Sequence, residues 1–139
     1  MDFQKPKEIP SWILEKFSAY PEDVQKRLFE MRKFILDLGL SLEGCGGIEE
    51  SLKWGDLSFC PKAKKCGSSI RIAYKPSKEK EYGIYFNCRT CLVKNFRELY
   101  PQIFRFENNR AIIFYVKDEF PKKELQECIL AAFTYFLES

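Results

Sequence analysis

Four cysteines in the middle of the chain are the residues whose type and spacing best suit metal chemistry. Cys60, Cys66, Cys88 and Cys91 fall at the predicted ends of three neighbouring strands, at one end of a predicted sheet. Adjacent strands lie about 4.8 Å apart, so connecting loops would bring the four sulfurs together. Tetrahedral zinc sites use paired cysteines of this kind, although Cys60 and Cys66 are spaced more widely than is usual. The pattern predicts a structural Zn²⁺ site, and the alternative is that these cysteines only pack.

A second chemistry is open to Cys88 and Cys91, which are separated by two residues. They follow a predicted strand and open a predicted helix, where helix N-terminal amides stabilise a thiolate. A dithiol redox protein is therefore an alternative, although the segments that follow predict a hairpin and not the parallel arrangement of a thioredoxin-like domain. Cys45, in a glycine-rich turn, and Cys128, in the last predicted helix, are predicted to be structural.

The absence of histidine restricts the reactions open to the chain. It removes the commonest general base, the Ser–His and Cys–His nucleophile pairs and the histidine-containing zinc sites. No nucleophile–base pair can be recognised among the remaining residues. We therefore expect a non-enzymatic domain.

A ligand surface is predicted around Lys53, Trp54 and Gly55, because a tryptophan beside a glycine at a strand end can border a pocket. Tyr85 is assigned to the same surface, together with the ends of the sheet at Cys60–Cys66 and Cys88–Cys91. A basic tract of Lys62, Lys64 and Lys65 reads as a solvated turn, and a net charge of +3 does not favour nucleic acid as the partner. The expected partner of this surface is therefore a small molecule or a protein.

The elements that must position these residues follow from hydrophobic spacing. Apolar residues at helical intervals predict a helix from Pro21 that Gly39 ends, with a shorter helix before it from Pro10. Alternating residues then predict a run of strands broken by one short helix, and Pro121 opens a C-terminal helix. The order predicts an α+β fold: a curved antiparallel β-sheet of five to six strands with the N- and C-terminal helices packed on it.

The length of 139 residues suits one domain, here residues 1–139, with residues 1–10 as a loose N-terminal arm. No stretch approaches the roughly 20 apolar residues that cross a bilayer, and the N-terminus has no apolar region typical of a signal peptide. We therefore expect a cytoplasmic protein without a membrane partner. In that reducing compartment the six cysteines would be thiols, metal ligands or redox groups.

A series of short motifs resembles the YdhG-like domain of unknown function. They run in order as Glu50–Gly55, Tyr85–Leu92, Phe96–Arg97, Tyr100–Pro101 and Ala131–Tyr135, and the resemblance covers about residues 15–136. It implies a curved antiparallel sheet between helices, and it implies frataxin-like iron carriage, since some members of the family are labelled iron chaperones.

Hard cations such as Fe²⁺ prefer carboxylate oxygens. The helix from Pro21 mixes acidic with basic residues, which leaves Glu43, Glu49 and Glu50 as the candidate iron ligands. The sequence thus predicts a binding or carrier domain associated with zinc or iron. The alternative is a module without metal that binds a small molecule or a protein.

Overall fold

The computed structural model describes residues 9–63 and 65–137. Most of the predicted N-terminal arm, Lys64 of the basic tract and the last two residues therefore lie outside the described residues. The described helices are α1 (Ser11–Ser18), α2 (Glu22–Leu40), α3 (Leu92–Leu99) and α4 (Lys122–Phe133), with a 3₁₀ turn at Pro76–Lys78. The strands are β1 (Ile48–Lys53), β2 (Asp56–Pro61), β3 (Ile70–Ala73), β4 (Glu81–Phe86), β5 (Arg105–Glu107) and β6 (Ala111–Tyr115).

The six strands form one open antiparallel sheet in the order β1-β2-β3-β4-β6-β5. The first four strands make a meander, and β6 pairs with β4 while β5 forms the far edge. The predicted α+β fold with a curved antiparallel sheet is confirmed. Asn108, with a φ of 51°, adopts the left-handed conformation expected in the turn between β5 and β6.

The two faces of the sheet have different surroundings. One face joins the buried residues of all four helices in a large core that contains Phe59, Ile84, Met31 and Phe133. The other face carries a small separate cluster made only of strand residues, which are Ala73, Tyr85, Ala111 and Ile113. The described helices therefore cover one face, which we call the covered face, and leave the other, which we call the open face.

One helix boundary differs from the prediction. Gly39 does not end α2, which continues to Leu40. A side chain on Gly39 would collide with Ile48 at the start of β1. The glycine thus serves the close approach of helix and strand, a tertiary requirement that resembles a helix stop signal in the sequence.

Candidate surface on the open face

The turn between β1 and β2 holds a tryptophan in an unusual backbone conformation. Lys53 pairs with Asp56, so Trp54 and Gly55 form a two-residue hairpin loop. Their φ angles of 56° and 80° are both left-handed, as a type I′ turn requires. Glycine takes this conformation freely, whereas for a residue with a side chain it costs about 1–2 kcal/mol. The Trp54 side chain is 93% exposed, so no packing against the described residues explains the strain.

A row of charged and aromatic side chains crosses the open face next to this turn. Arg71 on β3 donates a hydrogen bond of 3.0 Å from Nη1 to Oδ2 of Asp56 on β2. The same guanidinium lies 5.6 Å from the centre of the Tyr85 ring on β4, and Lys75 Nζ lies 5.8 Å from that centre. Both are within the range of cation–π attraction. We call Asp56, Arg71, Tyr85 and Lys75 the open-face row.

Positive charge predominates around the hairpin turn. Burial raises the pKa of the Asp56 carboxyl, and the positive charges of Arg71, Lys16 and Lys75 act against that rise. Three cations thus lie close enough to influence the Asp56 carboxylate. A fourth, the exposed Lys53, lies opposite Asp56 on β1. The surroundings of Trp54 would attract an acidic surface.

Two cavities lie among the described elements, and both are small. A depression on the open face, beside Gly83 and Tyr85, has a volume of about 20 Å³. A groove between α2 and the segment before α4, floored by Phe34 and Phe120, has about 180 Å³. Ligand pockets for drug-sized molecules usually measure about 300–1,000 Å³. A protruding side chain therefore offers a better binding feature here than either cavity.

The ligand surface predicted from the sequence is divided between two ends of the sheet. Lys53, Trp54 and Gly55 lie at the end where β1 turns into β2. Cys60 is four residues beyond Asp56, the first residue of β2, and therefore about 13 Å from the turn at strand spacing. Cys66 and Cys88 belong to that opposite end of the sheet. Grouping these segments on one surface was wrong, because the antiparallel strand carries the chain away from the turn. Tyr85 lies in the open-face row, as described above.

The four cysteines predicted to bind zinc do not form a tetrahedral thiolate site in this arrangement. Cys66 forms a disulfide with Cys45, and their Cα atoms are 5.7 Å apart, a separation typical of disulfides. No group of three or more candidate ligand side chains able to hold a metal ion occurs among residues 9–63 and 65–137. Cys88 and Cys91 are exposed free cysteines, and Cys60 is partly buried.

The disulfide lies where three segments meet. Ala63 donates a backbone hydrogen bond of 2.9 Å to the Cys45 carbonyl, which extends the pairing of β1 with β2. The Ser68 amide donates a hydrogen bond of 2.8 Å to the Ala132 carbonyl, and the Phe136 amide donates a hydrogen bond of 3.2 Å to the Cys66 carbonyl. The bridge therefore joins the loop before β1 to the loop after β2, and backbone hydrogen bonds connect the second loop to the end of α4. Cys45 was predicted to be structural, but the expectation that all six cysteines are thiols, metal ligands or redox groups is wrong for Cys45 and Cys66, which form a disulfide.

The remaining cysteines differ in their surroundings. Cys88 follows β4 and Cys91 directly precedes α3, which confirms the placement predicted for the redox alternative. Burial raises the pKa of the Cys60 thiol, the positive charge of Lys53 opposes that rise, and the negative charge of Glu49 adds to it. Burial also raises the pKa of Cys128 to about 12, in keeping with its predicted structural role.

The three glutamates predicted to bind iron point in different directions. Glu49 and Glu50 are consecutive strand residues, so their side chains lie on opposite faces of the sheet. The Glu50 side chain is only 6% exposed and accepts two hydrogen bonds from Arg32 on α2, at 2.7 and 2.8 Å. Glu43 is exposed in the turn before β1. The three carboxylates therefore do not converge, and Glu50 already has a cationic partner.

Sequence reasoning did not find the open-face row beyond Tyr85, nor the pair of Arg32 and Glu50. A signal was present, because Arg71 alternates with Ile70 and Ile72 and must therefore face away from them. The registers that place Asp56 and Tyr85 beside it come only from the paired strands.

No family model, curated protein or solved structure matches the chain. Within the described part of the chain, no helix is both long enough and apolar enough to cross a membrane.

Proposed function

We propose that this chain is a non-enzymatic binding module that recognises a protein partner through the Trp54 turn and the adjoining open-face row. The observation that carries the proposal is the Trp54 side chain, 93% exposed on a left-handed backbone. Strain of this kind persists where it serves a function, and exposed tryptophans are frequent anchors of protein interfaces. The expected partner offers an apolar pocket for the indole.

The positive charges near the turn indicate what kind of protein the partner is. Lys53 and the cations that influence Asp56 would meet acidic groups around that pocket. Opposite charges at the rim of an interface speed association and select the partner. A protein is favoured over a small molecule because the open-face depression and the groove beside α2 are both smaller than usual ligand pockets.

The test is an affinity capture in which three versions of the protein serve as baits for a lysate from the natural source. Wild type, Trp54→Ser and Leu99→Ser are immobilised, and captured proteins are quantified by mass spectrometry. Leu99 is the matched control, since its side chain is 67% exposed on α3. We expect a captured protein that is retained by Leu99→Ser and lost by Trp54→Ser. Identical capture by all three baits would contradict the proposal.

Metal association stays a prediction, whether as zinc held by cysteines or as iron carried in the way the family resemblance implies. Metal content of protein purified without a histidine tag tests both. About one zinc per chain, or saturable sites in a titration with ferrous iron, would contradict a module without metal.

The cytoplasmic location is part of the proposal. The Cys45–Cys66 disulfide is the observation that opposes it, because disulfides are rare in reducing compartments. Counting free thiols in protein alkylated during extraction from its natural source tests this point. Six thiols would support the cytoplasm, and four would support an oxidising compartment.

A further inference from the structure

The outer edge of β1 carries unpaired backbone groups. The strand order places β1 at one edge of the sheet, and no strand of the described residues lies beyond it. Lys53 and Asp56 close a two-residue turn, so they form a hydrogen-bonded pair, and such pairs alternate along an antiparallel ladder. The N–H and C=O groups of Ile48, Glu50 and Leu52 therefore point away from β2. An edge of this kind can accept another strand.

We propose that β1 pairs antiparallel with β1 of a second copy of this chain, with Ser51 opposite Ser51 on a two-fold axis. In this register Glu50 of each copy forms hydrogen-bonded pairs with Leu52 of the other. Glu50 and Leu52 both have backbone groups that point outward, so these two pairs are satisfied. Ile48 of each copy stands opposite Trp54 of the other, in the turn where β1 has ended. Glu49 of each copy then stands opposite Lys53 of the other, twice in the dimer.

Charge complementarity selects this register. Glu49 and Lys53 are exposed, and neither forms an ion pair with the residues that the structure describes. They occupy pairs without backbone hydrogen bonds, in which opposite Cα atoms are only about 4.5 Å apart. The next permitted register, with Glu50 on the axis, sets Lys53 opposite Gly47 and loses both ion pairs.

Apolar surface on the other side of the strand supports the same register. Leu52 is 49% exposed at the edge of the covered face. With Ser51 on the axis, Leu52 of one copy is the diagonal neighbour of Leu52 of the other, a separation of about 7–8 Å that side chains of this size bridge. The dimer would thus bury two leucines on one side and form two ion pairs on the other.

The dimer goes beyond the proposed function and does not depend on it. A two-fold axis perpendicular to the sheet keeps both sets of helices on one side. The open faces of the two copies then form one continuous surface that carries two open-face rows. A partner with two binding sites would gain affinity from such a surface.

Sedimentation velocity of the full chain over a range of concentrations at low salt tests the inference. Wild type is expected to reach twice the chain mass of 16.5 kDa. Glu49→Lys and Lys53→Glu each place like charges opposite one another twice, and each is expected to raise the dimer dissociation constant at least about tenfold. Lys123→Glu, an equal charge change on the exposed side of α4, is the control and leaves the dimer intact.

Mixing the two single variants provides the decisive comparison. In a mixed dimer the introduced lysine of one copy faces the introduced glutamate of the other, and the unchanged Lys53 faces the unchanged Glu49. Both pairs are then attractive, so dimers form again. The double variant Glu49→Lys/Lys53→Glu is expected to dimerise alone for the same reason.

Circular dichroism checks that each variant is folded. If a charge-reversal variant is unfolded, the neutral variant at the same position, Glu49→Gln or Lys53→Gln, takes its place. The neutral variants are expected to raise the dimer dissociation constant by a smaller factor. A monomeric wild type at all concentrations, or no recovery in the mixture and the double variant, overturns the inference.

Discussion

The covered face and the open face of the sheet are built from the same strands but differ in what surrounds them. The covered face packs against four helices in a core of fully buried apolar side chains. On the open face, Tyr85 is 8% exposed under Arg71 and Lys75, and small residues such as Ala73 and Ala111 lie near it. Apolar burial is the main stabilising contribution to folding, so stability resides in the covered face. The open face contributes only a small buried cluster.

The largest effect is expected from deleting an aromatic ring on the covered face. Phe59 is 0% exposed in the centre of β2. Phe59→Ala leaves a cavity and should lower the free energy of unfolding by about 3–5 kcal/mol. Denaturation in urea followed by circular dichroism measures this. A loss below about 1 kcal/mol would mean that the core does not close around this ring.

Neighbouring glutamates on opposite faces provide the next comparison. Glu50→Ala leaves the buried Arg32 charge without its partner and should lower the free energy of unfolding by about 3–5 kcal/mol. Glu49→Ala removes an exposed side chain and should change stability by no more than about 0.5 kcal/mol. Urea denaturation at a concentration that keeps the chain monomeric compares the two. Equal losses would contradict the assignment of the two faces.

A smaller effect is expected on the open face. Tyr85→Ala should lower the free energy of unfolding by about 1–2 kcal/mol, because the flexible Arg71 and Lys75 side chains can settle into the vacated space. Tyr85→Phe keeps the ring and should be close to wild type. Urea denaturation of both variants alongside Phe59→Ala decides the matter. If Tyr85→Ala costs as much as Phe59→Ala, the open face also carries the stability of the fold.

The smallest effect concerns thiols and leaves the fold intact. At pH 8 we expect iodoacetamide to modify the exposed Cys88 and Cys91 first and Cys60 more slowly, as followed by mass spectrometry. Cys128 should react only on unfolding, since burial raises its pKa from 9.0 to about 12. Because the folded protein holds this thiol in its neutral form, Cys128 contributes to the free energy of unfolding. That contribution is complete below about pH 9 and is lost as the pH rises towards 12. Faster labelling of Cys88 or Cys91 after a chelator is added would instead support bound zinc.

Much of the fold was predictable because its signals are local. The spacing of apolar residues predicted the helices, and alternation predicted the strands. The predicted C-terminal helix was too long, because α4 ends at Phe133 and the Phe136 side chain is exposed. The error at Gly39 had a different origin. A glycine is required there by Ile48 on another element, and a local pattern holds no information on that contact.

The candidate site was less predictable because it depends on register. Trp54 and Tyr85 were selected from the sequence, but Asp56, Arg71 and Lys75 come together only when three strands pair. The predicted cysteine cluster failed for a related reason. Loop paths, and not strand ends, place Cys66 beside Cys45.

The sequence by itself determined the α+β class, the order of the elements and the absence of histidine chemistry, since each depends on composition or on spacing along the chain. Only the tertiary structure decided which face is covered, that Trp54 and the cysteines lie at opposite ends, and that Glu50 is bound to Arg32 while Glu49 is exposed. These properties depend on pairing between distant segments, where a shift of one residue in register exchanges the two faces of a strand.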